Sequence, residues 1–570
     1  MTWGKRRTII IVVLIVFFIV TFWAASKPPR LLSNSVLVID AAGAIEEQRP
    51  VDFLSAFNGT KVPVLHDYLD AIDQARNDSR IAGLVVRIGS LQTGWGKLEE
   101  FRSHLLSFRK SGKPEICYLG HDGVGNPEYY LATSCDKVWL VPTDPLGVRG
   151  MMAEALFLRG TLDKLKIVPE FYHVAEYKTA PNLFTEKKFT AAHKEEVETL
   201  LHSIYDRYLT DASQARNMDR ATFESILKRG PLSASEAVEN KLVDRLAYWD
   251  QVQSFFKDKN EWNPISLTRY RTFLRPGLGP KIAVVHATGV IVSGSSQNTP
   301  GGSFVMGGDS VAADLRKAKE DSSIKAIVLR IDSGGGSAVA SEVIRREVEL
   351  AKGKKPVVVS MSDVAASGGY WIAMDADKIV ADANTITGSI GVLIGKFNIS
   401  GLYSLLGMST DFVATSDNAT MYSDQQNFTP AQKANIEKSL NETYANFTKG
   451  VAAGRSAAGQ RMSAEDVDKI GKGRVWAGAR AKELGLVDEI GGLDRAIQLA
   501  KQLAHIAASE SVHIVRLPEE KTFLEILLER ERDQFTETRS PETTFDATLR
   551  RLARTIEPVQ ARLPFDLRIR

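Results

Sequence analysis

Ser367 stands in Ala365-Ala366-Ser367-Gly368-Gly369-Tyr370-Trp371, directly after the apolar run Pro356 to Met361. The run reads as a strand and the residues after Ser367 as the start of a helix, so the hydroxyl is presented among side chains too small to shield it. A serine there could simply cap the helix, but a cap requires neither Ala-Ala before it nor Gly-Gly after it. Such a hydroxyl is suited to attack on a carbonyl if a base takes its proton. Upstream, the strand-like Ala326 to Ile331 runs into Asp332-Ser333-Gly334-Gly335-Gly336-Ser337, a turn whose bare backbone N–H groups could face an anion.

The usual base would be histidine. Among the nine histidines, His286 lies in an apolar strand and His173 in a strand-like stretch, and both read as structural. Carboxylates or a deprotonated lysine remain. Neutralising an ordinary lysine at pH 7 costs about 4 to 5 kcal/mol. Burial can lower a lysine by about 3 to 5 units, so the candidate belongs in a buried contact and not in a run of charges. Lys178, in Glu176-Tyr177-Lys178-Thr179-Ala180-Pro181, fits that description, whereas Lys187-Lys188 reads as solvated surface. Residue type alone does not separate Lys178 from the other lysines, for which a surface position is the default.

The elements that must position these groups form a duplication. Segments offset by about 240 residues match in order. Ser35 to Ile45 matches Lys281 to Ile291, and Leu69 to Ile88 matches Ala312 to Ile331. Tyr129 to Leu140 matches Tyr370 to Ala381, and Ala234 to Leu246 matches Ala477 to Ile490. Short apolar runs alternate with amphipathic stretches such as SEVIRREVELAK, which implies α/β layers in two related domains. The boundaries expected are 35–250 for the first repeat, 251–280 for a linker, 281–505 for the second repeat and 506–570 for a tail. The Gly/Ser-rich Ser293 to Gly308 reads as a mobile loop. The tail carries charged helical stretches that could pack between subunits, touch a membrane or stay disordered, with subunit packing ranked first.

The copies differ where chemistry needs special residues. Gly89-Ser90-Leu91-Gln92-Thr93 replaces the glycine turn, and the side chains of Leu91 and Gln92 would obstruct a backbone pocket. Gly125-Asn126-Pro127-Glu128 places Asn126 over Ser367, and an asparagine cannot be acylated in this role. Conversely the second copy has Ala414 to Ala419, without lysine, where the first has Lys178. One copy retains a possible base and the other a possible nucleophile.

At 570 residues, 44% hydrophobic and 25% charged, the chain is ordinary globular protein of two or more domains. A net charge of +3 without basic stripes argues against nucleic acid as a partner. Cys117 and Cys135 form no metal cluster; they read as two half-buried thiols or at most one disulfide. Thr8 to Ala25 carries no charge and lies between Lys5-Arg6-Arg7 and Lys27, a length that can span a bilayer. An uncleaved anchor at 1–30 is preferred over a cleaved secretory peptide, with the basic cluster cytoplasmic and the remainder exported.

The motifs DSGGGSAVASEVI, VAASGGYWIA, TGSIGV and EYKTAP, with the anchor and the order of the repeats, resemble the long, duplicated form of signal peptide peptidase A, also called protease IV. The resemblance covers most of residues 1 to 505. It implies an α/β fold of two tandem Clp protease/crotonase-like domains after an N-terminal transmembrane helix. It further implies a serine endopeptidase with a Ser/Lys dyad, Ser367 as nucleophile and Lys178 as general base. Ser389, in Thr387-Gly388-Ser389-Ile390-Gly391, matches the family's serine that hydrogen-bonds the lysine, where the first copy has Val148. The oxyanion hole would use the N–H groups of Gly335 and Gly368. The family commonly has proline after the serine of the glycine turn; Gly334 stands there in this chain. No cofactor or metal is required, in keeping with a sequence that lacks HExxH, paired CxxC and dinucleotide fingerprints. The expected partners are apolar peptides such as cleaved signal peptides, the lipid bilayer through residues 8–25, and further copies in a homo-oligomer, a tetramer. The expected location is the bacterial inner membrane, single-pass, with the catalytic domains on the periplasmic side. Two other classes stay open: a crotonase-like acyl-transfer enzyme, which an exported chain would deprive of acyl-CoA, and a non-catalytic membrane scaffold.

Overall fold

Two six-stranded parallel arrays with the same strand order form the body of the chain. The computed structural model describes residues 31–49, 62–120, 123–258, 262–298, 304–519, 560–562 and 568–569. In the first array the order is Arg245–Leu246, Lys137–Leu140, Glu115–Leu119, Ile81–Leu91, Ser35–Gly43, Asn263–Ser266. In the second it is Glu489–Ile490, Lys378–Ala381, Val357–Ala366, Ile324–Ser333, Lys281–Thr288, His513–Leu517. The central strands, such as IVLRI and VVVSM, are nearly continuous apolar runs because both faces of a parallel sheet are covered. The covering helices bury a stripe at helical spacing: Leu65, Leu69, Ile72 on Leu65–Asn77, and Val311, Leu315, Ala318 on Gly308–Glu320.

The pairings move three expected boundaries. Residues 251–280 are not a linker, because Asn263–Ser266 pairs with Ser35 to Val38 and closes the first sheet. The second repeat does not end at 505, since His513–Leu517 pairs with Lys281 to Val285. The stretch Ser293 to Gly308 is not wholly loop: Phe304–Gly307 lies parallel to Val290–Val292 and antiparallel to Gln297–Asn298. Cys117 and Cys135 are both buried and joined as a disulfide, with Cα atoms 5.7 Å apart. The anchor expected at 8–25, and the helical stretches expected in the tail before residue 560, lie outside the described residues. Among the described residues, no helix is long and apolar enough to cross a membrane.

A third sheet binds the repeats together. Its order is Gln297–Asn298, Phe304–Gly307, Val290–Val292, Gly335–Ser337, Gln560–Arg562, Leu393–Asn398, Val168–His173. The last two strands come from different repeats and pair antiparallel from Leu393 opposite His173 to Asn398 opposite Val168. Deeper in the contact, Arg330 of the second repeat is fully buried and reaches two carboxylates of the first, Glu47 at 2.7 Å and Glu100 at 2.5 Å. Lys97 meets Asp332 at 2.7 Å, beside the glycine turn. Asp363 accepts the Gly94 and Lys97 N–H groups at 3.0 and 2.8 Å, and so caps a first-repeat helix with a second-repeat side chain.

Candidate active site

Two neighbouring parallel strands end side by side and deliver two serines. Val357–Ala366 leads into Ser367, and Ile386–Gly388, which pairs with it through Ala366 opposite Gly388, leads into Ser389. The Ser367 N–H donates to Gly388 O at 2.8 Å, locking the two exits together. Both serines have positive φ, +57° at Ser367 and +49° at Ser389. A non-glycine residue held there costs about 1 to 3 kcal/mol, and the small residues beside Ser367 leave room for so sharp a turn. The helix Gly368–Ala373 starts directly after Ser367, so the Gly368 N–H belongs to a helix N-terminus.

Lys178 arrives from the first repeat. The Val168–His173 strand, paired to Leu393–Asn398, carries the chain toward the serines, and Tyr177 N–H fixes the loop by donating to Lys472 O at 3.2 Å. Lys178 Nζ then lies 2.6 Å from Ser367 Oγ, 2.9 Å from Ser389 Oγ and 3.2 Å from Ser389 O. All three side chains are fully buried. Burial pulls the Lys178 amine down to about 7, opposed only by the nearby Glu196. A neutral amine has two N–H donors and one lone pair. The three oxygens suit the three donors of the ammonium; in the neutral amine two donors serve the oxygens of Ser389 and the lone pair is left for the hydroxyl proton of Ser367. Gly473 makes room for this approach, since a Cβ there would lie 2.5 Å from Lys178 N.

Glu196 was not singled out by sequence reasoning. It sits on the helix Ala191–Ala215, and its carboxyl accepts the Val475 N–H at 2.7 Å and the Thr179 hydroxyl at 3.2 Å. Thr179 follows Lys178, and Val475 follows Arg474, whose carbonyl accepts the Ser389 N–H at 2.7 Å. One buried carboxyl therefore ties the lysine loop to the turn of Ser389. Burial pushes it up to about 8, against the pull of its hydrogen bonds and of Lys178.

The glycine turn departs from expectation in one respect. The Gly335 N–H is not bare: it donates to Ser333 Oγ at 3.1 Å, and that hydroxyl donates to Gly289 O at 2.6 Å. Gly336 is required by its surroundings, because a Cβ there would lie 2.1 Å from Ile291 O. The two histidines play no part around Ser367. His173 contacts Ala175 O at 2.8 Å through Nδ1, and His286 lies 4.0 Å from Glu47 between the repeats.

At the corresponding turn of the first repeat the polar groups are engaged differently. Asn126 Oδ1 accepts the Arg149 N–H at 3.0 Å. Pro127 occupies the place of Gly368 and has no N–H to donate. Glu128 takes up the neighbouring N–H groups of Leu91 and Gly125 at 2.7 and 2.8 Å. A cavity of about 900 Å³ opens here, bordered by Gln92, Asn126 and Arg149.

Comparison with known proteins finds one family matched in two segments of the chain. The profile of Peptidase family S49 matches residues 107–263 and 349–507. The chain is 33% identical to the chloroplastic serine protease SPPA of Arabidopsis thaliana, over 88% of its own length and 73% of the relative's. It is 33% identical to Protease 4 of Haemophilus influenzae, over 83% and 80% of the two chains. It is 34% identical to Protease 4 of Salmonella typhi, over 82% and 75%.

Proposed function

Since this chain belongs to peptidase family S49 and is a serine peptidase, we propose that it is a membrane-anchored endopeptidase in which Ser367 and Lys178 form a Ser/Lys dyad. The observation that carries this reading is the 2.6 Å approach of a fully buried lysine amine to a serine hydroxyl. Lys178 accepts the Ser367 proton as Oγ attacks a peptide carbonyl, and returns it to the departing amine. Ser389 holds the amine in line. The Gly368 N–H at the helix start and the Gly335 N–H stabilise the developing oxyanion; for Gly335 this requires its peptide group to rotate so that the N–H leaves Ser333 Oγ for the substrate. Water, activated by the same lysine, then hydrolyses the acyl-enzyme.

The substrates on this reading are apolar peptides such as cleaved signal peptides, reached from an anchor at residues 8–25 that holds the catalytic repeats on the extracytoplasmic side of the bacterial inner membrane. The buried disulfide Cys117–Cys135 supports an oxidising location. The tandem repeats are of the Clp protease/crotonase kind, in keeping with their parallel sheets and backbone-lined turn. A homo-oligomer, a tetramer, is supported by apolar side chains left on the surface. Leu405, Leu406, Met408, Phe412 and Val413 are all exposed within one stretch, and Val339 and Val343 stand out beside the glycine turn.

The test is hydrolysis of a quenched apolar peptide by the purified chain and by its Ser367→Ala and Lys178→Ala variants, with labelling by a serine-reactive phosphonate. Both variants should lose at least a thousandfold in kcat, and Ser367→Ala should lose the label. Wild-type turnover by either variant would refute the role given to that residue.

A further inference from the structure

The cavity of about 900 Å³ at the Asn126 turn is of a size that suits a short length of peptide. Its walls come from both repeats: Gln92, Thr93 and Asn126 from the first, Val364, Asn384 and Ile386 from the second. The groups given catalytic roles in the second repeat have no counterpart at this turn, where Asn126 and Pro127 stand for Ser367 and Gly368. Glu128 already holds the N–H groups of Leu91 and Gly125. Asn384 is different. It is 2% exposed, and among the described residues neither Oδ1 nor Nδ2 of its carboxamide has a hydrogen-bond partner; the buried Thr93 Oγ1 has none either. The turn that carries Asn384 does not need the carboxamide, because its backbone N–H donates to Glu99 at 2.8 Å and the Thr385 hydroxyl donates to Ser362 O at 2.6 Å. A buried amide without partners is costly, and a ligand that pairs with it removes that cost.

We propose that this cavity is a second peptide-binding site, which holds one extended stretch of a polypeptide uncut while another stretch lies at Ser367. The choice of a polypeptide as ligand rests on the peptidase reading of Ser367. A carboxamide offers both an acceptor and donors. An extended residue turns its own N–H and C=O to the same side, as the hydrogen-bonded pairs of an antiparallel ladder do, so Asn384 can meet both groups of one residue whatever side chain that residue carries. The site therefore tolerates many sequences. Two strands connect it to the dyad. Val364 and Ile386 in its wall stand three residues before Ser367 and Ser389, about 10 Å along each strand. A chain held in the cavity keeps its remainder near the serine at an effective concentration of about a millimolar. Long substrates gain in KM by this tethering, and short ones do not.

The experiment uses the full chain with a peptidyl phosphonate on Ser367, which fills the catalytic cleft and leaves the cavity open. A fluorescent apolar peptide of about twelve residues, roughly 40 Å when extended, should still bind this blocked chain with a single equivalent. Gln92→Trp narrows the cavity from an exposed position, and Asn384→Leu replaces the carboxamide by an apolar group of similar shape. Each should weaken binding about tenfold or more, and Asn384→Leu should do so without lowering the melting temperature, because it removes an unpaired buried amide. In the unblocked chain both variants should raise KM about tenfold for a peptide of about 30 residues and leave the KM and kcat of a hexapeptide unchanged. No binding to the blocked chain, wild-type binding by both variants, or equal changes for the long and the short substrate overturns the proposal. If Asn384→Leu does not fold, Gln92→Trp decides alone. If the phosphonate does not label Ser367, the peptidase reading falls, and binding of the same peptide to Ser367→Ala with and without Gln92→Trp still decides the cavity.

Discussion

Lys178 Nζ and Ser367 Oγ lie 2.6 Å apart although 189 residues separate them in the chain. Neither repeat holds both groups. The antiparallel pairing of Val168–His173 with Leu393–Asn398 lays the lysine loop over the two serine turns, and the distance is a property of the contact between the repeats. Changes far from the serine should therefore be felt at it wherever they loosen that contact.

The pH dependence follows from the burial of the amine. Only neutral Lys178 can accept a proton, and its pKa is drawn down from 10.5 to about 7. Below that value kcat/KM should fall tenfold per pH unit, and above it the profile should flatten. Lys178→Arg should be inactive throughout, because a guanidinium stays protonated. A stability consequence accompanies this. Between about pH 7 and 10.5 the unfolded lysine holds a proton that the folded one has released, so the lysine's contribution to stability rises with pH across that window by about 4 to 5 kcal/mol. Urea unfolding of wild type and Lys178→Met should diverge in this sense: wild type gains on the variant as pH rises from 7 to 10. A constant difference would remove the assigned titration.

Ser389 supplies two of the three oxygens around the amine. Ser389→Ala leaves the backbone oxygen but takes away the hydroxyl, so the amine can rotate off the line to Ser367. The expected cost is about 1.5 to 3 kcal/mol, roughly 10- to 150-fold, and it should fall on kcat with KM little changed. Steady-state kinetics with a saturable peptide separates the two parameters. A loss confined to KM would place Ser389 in substrate binding instead.

Glu196 should act through position. With its carboxyl pushed up to about 8 by burial, it is largely protonated at pH 7, and glutamine is its close mimic. Glu196→Gln should keep most of the turnover and move the acid limb to lower pH, because the residual negative charge that raises Lys178 is gone. Glu196→Ala also removes the tie between Thr179 and Val475, and a lysine displaced by about 1 Å should cost on the order of 100-fold in kcat. Equal effects of the two substitutions on both rate and pH profile would count against the positioning role.

Much of this arrangement was legible in the residues. The two sheets follow from apolar runs repeated in order, and the asymmetry between Ser367 and Asn126 pointed to a site divided between the copies, while Lys178 was singled out from the other lysines only by the family resemblance. The closing strands were not legible for local reasons. Asn263–Ser266 is four residues with a proline, and His513–Leu517 follows an unremarkable stretch, so only pairing with Ser35–Gly43 and Lys281–Thr288 identifies them. Glu196 hid among Glu195 and Glu198 on one helix. The fold buries Glu196 on the face it shares with Val197, Leu200 and Ile204 while leaving Glu195 and Glu198 exposed; the apolar spacing marks that face, but nothing local tells that a carboxyl on it meets Val475. The place of Gln560–Arg562 was hidden for a related cause: strand addition is a backbone event, and its side chains need carry no signature.

Arg330 offers a test of the contact between the repeats. It is fully buried, donates to Glu47 and Glu100 of the first repeat, and reaches Ser360 Oγ at 2.8 Å in its own. Arg330→Met removes the cation and leaves two carboxylates buried without it, a change expected to cost about 3 to 5 kcal/mol. Because that contact sets the distance from Lys178 to Ser367, hydrolysis should fall even at temperatures where the sheets remain folded. Neutralising the partners as well, in Arg330→Met with Glu47→Gln and Glu100→Gln, should recover a large part of the stability, since the uncompensated charge and not the lost attraction dominates the cost. Denaturant unfolding of the single and triple variants measures this directly. A triple variant no more stable than Arg330→Met would mean that Arg330 acts chiefly by packing, and would uncouple the ionic cluster from the register between the repeats.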